Sequence, residues 1–345
     1  MLPLSVEFAI GSATGLLDCA LFHWIDTLKV RRQDGRPLLM NVKTGLPLQR
    51  VAYRSRQAFA AACMASLYAG FSTNLSLKVP YMASMFAFNA GNMQLLAWLD
   101  RKEESSSNHG GGSSNYNGLR ELAAAMLVGV EVSLLLSPLE MVRIQGQNNG
   151  KGGLFSAMRA VAATASGQGF IGRWRVWTRG MTATMHRESK YCAGQFFLCA
   201  KISEWVSDFI CQPAVIPGGQ TEVEGAGHAQ AAKARPTALQ TLGAQVVGAV
   251  LGGVACTVVS HPDDVIKTRM QTHLKGSSQF DAYASFGRSG LHMIRTEGLA
   301  ALFKGAAIRC LLRVPLGLSV IIVSGNWMRT RAEQQLHRAP CRAES

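Results

Sequence analysis

Three strings in this chain set an acid, a base and a glutamine at one fixed spacing. His23-Trp24-Ile25-Asp26-Thr27-Leu28-Lys29 closes at Gln33, and Ser137-Pro138-Leu139-Glu140-Met141-Val142-Arg143 closes at Gln147. The third, Ser260-His261-Pro262-Asp263-Asp264-Val265-Ile266-Lys267, closes at Gln271. In each the acid stands two residues after the proline position, the base three after the acid, and the glutamine four after the base. Positions i, i+3 and i+4 share a helix face, so Asp26, Lys29, Glu140, Arg143, Asp264 and Lys267 present three acid–base pairs, each with its glutamine. A proline inside a helix removes a backbone hydrogen bond and kinks it, which turns the pairs towards one point. Trp24 replaces the proline in the first copy, so the reason for a kink is missing there. Three unrelated surface ion pairs would not recur at this spacing after an apolar run each time.

The elements that carry these strings are apolar. The chain has 345 residues, 48% of them hydrophobic and 16% charged, against about 25% charged in soluble domains. Val79 to Leu99 and Leu239 to Ser260 hold no charge, nor does the shorter Val314 to Met328. A bilayer helix needs roughly 20 mainly apolar residues. Asp18 and Glu131 are single charges in such runs, and a charge there normally faces a cavity or a partner. Net charge is +14. The basic residues are dispersed among apolar segments, so contact with anionic lipid and an electropositive cavity explain the excess better than nucleic acid. No nucleic-acid partner is expected. The eight cysteines show no CxxC spacing, so neither a disulfide framework nor a metal site is expected, and no cofactor. Ser76 near Lys78, and Ser189 beside Lys190, lack any catalytic context, so no enzyme is expected. Nor is a cleavable presequence, since the first membrane segment starts within the first ten residues.

The triplicated string resembles the mitochondrial carrier family, whose pattern is Pro-x-(Asp/Glu)-x-x-(Lys/Arg) followed by a glutamine. The resemblance covers nearly the whole chain. It implies an all-α membrane protein of six tilted transmembrane helices in three pseudo-symmetric repeats. Short matrix-side amphipathic helices and a central cavity, open alternately to each side, go with it. It implies that the acid–base pairs join head to tail as a matrix-side gate, braced by Gln33, Gln147 and Gln271. The place it implies is the mitochondrial inner membrane, multi-pass, as a monomer.

In chain order the expected repeats are 1–100, 118–210 and 237–332, joined by polar linkers at 101–117 and 211–236, with a basic, disordered tail at 333–345. Helix 1 is expected over 8–33, with Gly11 and Gly15 as a small-xxx-small pair that admits a neighbour closely. A surface helix is expected over 51–65, holding Arg54 and Arg56. Others are expected at 154–164 and 283–296, while 168–179, rich in Trp and Arg, has no assigned element. Tyr68-Ala69-Gly70 resembles the family's aromatic–basic–Gly start of an even-numbered helix, which implies cardiolipin headgroup binding. Free N–H groups and the helix dipole attract phosphate there. Phe303-Lys304-Gly305 repeats the pattern fully and Arg179-Gly180 partly.

Counting from Gly70, Gly180 and Gly305 places Leu77-Lys78, Arg187-Glu188 and Leu312-Arg313 at equal depth, where the family's substrate contacts lie. Pro80 and Pro315 follow, with Lys190 in place of proline between them. Arg before an acid resembles the amino-acid type of carrier. A zwitterion needs a cation for its carboxylate and an anion for its ammonium, and Arg187 with Glu188 offers both. The alternative is that Glu188 neutralises Arg187 or Lys190. Asp18 and Glu131 are candidates for a second positive charge, and Lys78, Lys190, Arg309 and Arg313 add cations. The family's second acid–base string, which closes the cytoplasmic side, is missing. Asn89 to Met93, Cys199 to Ser203 and Ser324 to Met328 stand in its place.

The expected function is therefore alternating-access antiport of a small charged metabolite: a basic or zwitterionic amino acid such as ornithine, or S-adenosylmethionine. The rivals are a nucleotide, coenzyme A or carboxylate carrier, and a non-transporting membrane adaptor. With the cytoplasmic string missing, uniport or leak alongside exchange is also expected.

Overall fold

The computed structural model describes residues 2–33, 37–41, 46–69, 71–106, 114–149, 154–166, 169–210, 237–272 and 281–338. It is helical almost throughout. In order come α1 (Leu4–Gln33), α2 (Arg56–Leu67), α3 (Phe71–Ser106), α4 (Ser114–Asn149), α5 (Leu154–Ala165) and α6 (Phe170–Trp177). Then follow α7 (Met181–Cys192), α8 (Cys199–Ile210), α9 (Ala238–Thr272), α10 (Phe286–Glu297), α11 (Ala306–Ile308) and α12 (Val314–Arg338). A π-helical turn over Ala193–Leu198 joins α7 to α8, and one over Arg309–Arg313 joins α11 to α12. Six long helical runs result among the described residues. Four hold stretches long and apolar enough to cross a membrane among the described residues: Leu4–Leu28, Gly118–Glu140, Ala238–Gln271 and Arg309–Leu336. The runs α3 and α7–α8 carry more polar residues and complete the six.

Several boundaries differ from the sequence reading. Helices α3 and α4 extend into 101–117 from both sides, to Ser106 and from Ser114. The surface helix starts at Arg56 because Ser55 caps it, its Oγ accepting from Ala58 N at 3.0 Å. Arg54 therefore precedes that helix. Helix α6 occupies the unassigned Trp- and Arg-rich stretch. Residues 333–338 continue α12 instead of forming a tail; the linker 211–236 lies outside the described residues.

Close approach of the long helices is set by small residues. A Cβ on Gly11 would lie 2.5 Å from the Met82 carbonyl oxygen, and one on Gly15 would lie 3.0 Å from Met82 Cβ. A Cβ on Gly129 would overlap the backbone of Glu188 and Ser189. These contacts lock α1 to α3 and α4 to α7. Gly180 and Gly305 precede α7 and α11 with φ of 77° and 88°, a left-handed conformation that only glycine adopts freely. The buried core runs between the bundle helices through Met82, Met85, Phe86, Val128 and Val132. A second cluster packs α10 under α9 through Ile266, Met270, Tyr283 and Met293.

Candidate substrate cavity

The α1–α3 contact sets Asp18 beside Lys78. Asp18 is fully buried. Lys78 Nζ lies 2.9 Å from its Oδ2. The Arg313 guanidinium donates to Oδ1 at 2.9 Å and to Oδ2 at 2.8 Å, the forked geometry that suits a carboxylate. Arg313 Nε donates to Asp26 Oδ1 at 2.6 Å. Gly317, one turn beyond Arg313, makes this possible, because a Cβ there would overlap Arg313 Nη1. Pro315 has no N–H to continue the helical ladder. The π turn just before it carries both Arg309 and Arg313 to the cavity wall.

On the other side Arg187 reaches three acids. It touches Glu188, and its nitrogens lie 3.7 Å from Glu140 and 3.5 Å from Asp264. Lys267 Nζ donates to Glu140 Oε2 at 2.5 Å, and Arg309 Nη1 lies 2.8 Å from Asp264 Oδ2. The cavity measures about 180 Å³. Its charged wall is Asp18, Asp26, Lys78, Glu140, Arg187, Arg309 and Arg313. Carboxylates and cations thus alternate around a small space among largely buried side chains, where their attraction is strong.

The sequence-derived residues divide on this geometry. Lys78, Arg187, Arg313 and Asp18 stand on the wall. Glu188 does not: it is 1% exposed against α4 and accepts from the Tyr81 hydroxyl at 2.5 Å. Lys190 lies outside the cavity, donating to Asp263 Oδ2 at 2.6 Å. Glu131 accepts from Asn92 Nδ2 at 3.1 Å, also outside. Of the six acid–base residues, Glu140 and Lys267 form a pair between the second and third strings. Asp26 and Asp264 also engage Arg313 and Arg309 respectively. The side chains of Lys29, Arg143, Gln33 and Gln147 lie outside the described residues. Gln271 is buried, and its Nε2 donates to Arg179 O at 3.4 Å.

At the expected lipid positions, Tyr68 donates its hydroxyl to Ala20 O at 3.1 Å. Arg179 turns inward, donating from Nε to Met270 O at 2.9 Å and from Nη2 to Tyr283 O at 3.1 Å. Burial lowers its pKa from the ordinary arginine value. Gly180 and Gly305 open their helices as described, Lys304 O lies 3.3 Å from His261 Nε2, and Gly70 lies outside the described residues.

Tyr81 and Tyr191 also line the cavity. Neither was singled out from the sequence, yet both stand eleven residues beyond the helix-start glycines Gly70 and Gly180. The count that found Lys78 and Arg187 would have reached them one turn later. His23 and His261 were also passed over. Each occupies the position before the proline site, is buried, and puts Nε2 within 3.2–3.3 Å of a backbone carbonyl just before the next long helix, Ala69 O and Lys304 O.

Six long helices around a small, charged, mid-bundle cavity define a membrane solute carrier. Residues 114–209 and 239–323 match the family described as Mitochondrial carrier protein. The chain belongs to that family, and so to the multi-pass proteins of the mitochondrial inner membrane. The matched segments hold the second and third strings, with Pro138 and Pro262; the first, with Trp24, lies outside them. Among relatives, the mitochondrial 2-oxodicarboxylate carrier 2 of Saccharomyces cerevisiae is 22% identical, over 93% of this chain and 92% of its own. The mitochondrial arginine transporter BAC2 of Arabidopsis thaliana is 25% identical, over 87% and 82%. The mitochondrial glycine transporter of Botryotinia fuckeliana is 22% identical, over 88% and 85%. The family consists of transporters of small charged metabolites.

Proposed function

We propose that this chain carries a basic or zwitterionic amino acid, such as arginine or ornithine, or S-adenosylmethionine, by alternating access and without covalent chemistry. The observation that carries the reading is a cavity wall whose cations are bonded to carboxylates. A zwitterion replaces both halves of such a pair and leaves the charge balance unchanged. A dicarboxylate or nucleotide satisfies only the cations and strands Asp18, Asp26 and Glu140. The cavity volume of about 180 Å³ lies below the roughly 300–1,000 Å³ of sites for drug-sized ligands, which favours a small metabolite over a nucleotide.

The substrate carboxylate binds Arg187 and Arg313, and the ammonium binds Asp18 with Glu140. Glu188 acts through Arg187 and Tyr81. In taking Arg187 and Arg313, the substrate withdraws them from Glu140, Asp264 and Asp26, acids of the triplicated strings. Binding thereby loosens the motif-end closure that Lys29, Arg143 and Lys267 complete. A ligand shifts such an equilibrium only by its differential affinity, and competition for guanidinium supplies one. The repeats run 1–100, 118–210 and 237–332. The carrier works as a monomer, holding cardiolipin headgroups at the starts of α3, α7 and α11, with no nucleic-acid partner.

A second reading, a carboxylate or nucleotide carrier, draws on the four cations of the wall, against three carboxylates, and on the 2-oxodicarboxylate relative. Inhibition separates the two. With labelled arginine as substrate, agmatine (which lacks the carboxylate) and the des-amino acid should each inhibit at least tenfold less well than unlabelled arginine. Equal inhibition by the des-amino acid would show that the ammonium is not read.

A further inference from the structure

We propose that Glu7 and Arg329 are the gate residues at the end of the bundle opposite the acid–base strings, replacing the missing second string; this rests on the transport reading. Arg329 donates from Nε to Glu7 Oε1 at 2.8 Å and from Nη2 to Oε2 at 2.8 Å. The pair ties the start of α1 to the C-terminal half of α12. Glu7 is 6% exposed, and removing one partner of a buried ion pair leaves the other charge uncompensated. It lies where a membrane helix tolerates an acid only if paired. The Arg329 guanidinium also lies over the Phe86 ring, 5.2 Å from its centre.

Beneath the pair is an apolar layer. Phe86, Phe196 and Ile321 each stand sixteen residues beyond Gly70, Gly180 and Gly305, one from each even-numbered bundle helix. The two phenylalanine rings meet edge to face at 5.8 Å. Gly325 leaves space for Phe86, whose Cε1 would lie 3.2 Å from a Cβ there. Ile321 borders both the charged cavity and an outer cavity of about 560 Å³ that Phe86, Phe196 and Arg329 also line. The layer therefore separates a polar vestibule from the substrate site, and the ion pair fastens one side of it. Opening this end requires α1 and α12 to part, which breaks the Glu7–Arg329 bonds and lifts Arg329 from Phe86. The mechanism explains how a chain without the second acid–base string still closes here.

The test uses full-length protein in liposomes. Two readouts are followed for wild type, Glu7→Gln, Arg329→Gln and the exchange Glu7→Arg with Arg329→Glu. One is the ratio of efflux into substrate-free medium to exchange, with the labelled substrate that wild type carries. The other, independent of substrate, is labelling of Leu77→Cys in the cavity by a membrane-impermeant maleimide, above the background of the parent chain. Each single variant should raise both about tenfold, the factor that 1.4 kcal/mol represents, and the exchange should restore most of each. Arg329→Lys, which keeps charge but loses the fork, should fall between and serves if a glutamine variant is not recovered folded. Unchanged labelling in the single variants overturns the gate even if wild type carries no amino acid. Raised values that the exchange leaves raised also overturn it, since the two residues then do not act as a pair. Failure of wild type to carry amino acids, with labelling as expected, overturns only the substrate reading.

Discussion

Asp18 holds two cations at once, Lys78 and Arg313, with no exposure of its own. Removing one partner of a buried ion cluster typically costs about 3–5 kcal/mol, because charges remain uncompensated. Asp18→Asn should therefore abolish uptake of a cationic amino acid and lower the thermal midpoint; uptake and a melting curve on one preparation check both. Gly317→Ala is a sharper probe, since it keeps every charge. The new methyl displaces the Arg313 guanidinium from Asp18, so the half-saturation concentration should rise about tenfold or more. Gly118→Ala, with open space around it, should stay within ~0.5 kcal/mol of wild type. Asp18 was legible in the sequence because a lone acid in an apolar run needs a partner. Glu188 was legible in type but not in direction. Neighbouring helical residues point about 100° apart; Arg187 lines the cavity and Glu188 does not. Which one does depends on Gly129 bringing α4 against the Glu188 backbone, and sequence spacing does not reveal that contact.

Helix α4 approaches α7 most tightly at that glycine, where a Cβ would overlap the Glu188 and Ser189 backbone. Gly129→Ala should cost at least the ~1–3 kcal/mol of overpacking, read as loss of folded yield and a lowered melting temperature. Gly243→Ala, which meets nothing within 4 Å, should not. Uptake per folded molecule for Gly129→Ala should fall as well, since Arg187 and Glu188 ride on the displaced helix. The long helices were legible because uncharged runs of membrane length leave few alternatives. Their ends were less so: α12 continues to Arg338, because its last turns are polar and carry no apolar signal. Helix α6 escaped notice because Trp and Arg alternate over Phe170–Trp177 without a clear apolar face.

Across the whole molecule, the pair between the second and third strings joins α4 to α9. Lys267 is 4% exposed and bonded to Glu140 across the bundle. Glu140→Gln leaves that ammonium without its full charge partner and should cut exchange about tenfold. The double variant with Lys267→Gln should be less impaired than the single, the signature of a coupled pair. Equal damage in the single and double variants would place Glu140 in substrate binding alone. On the proposed function, the alternating carboxylates and cations of the cavity read both ends of an amino acid. The most direct measurement is uptake of labelled arginine, ornithine, S-adenosylmethionine, ATP and malate by wild type and Asp18→Asn in matched liposomes. Wild type should take up at least one of the first three, ATP and malate should stay at background, and Asp18→Asn should abolish the uptake. Uptake of ATP or malate alone, undiminished in Asp18→Asn, would contradict the proposed function.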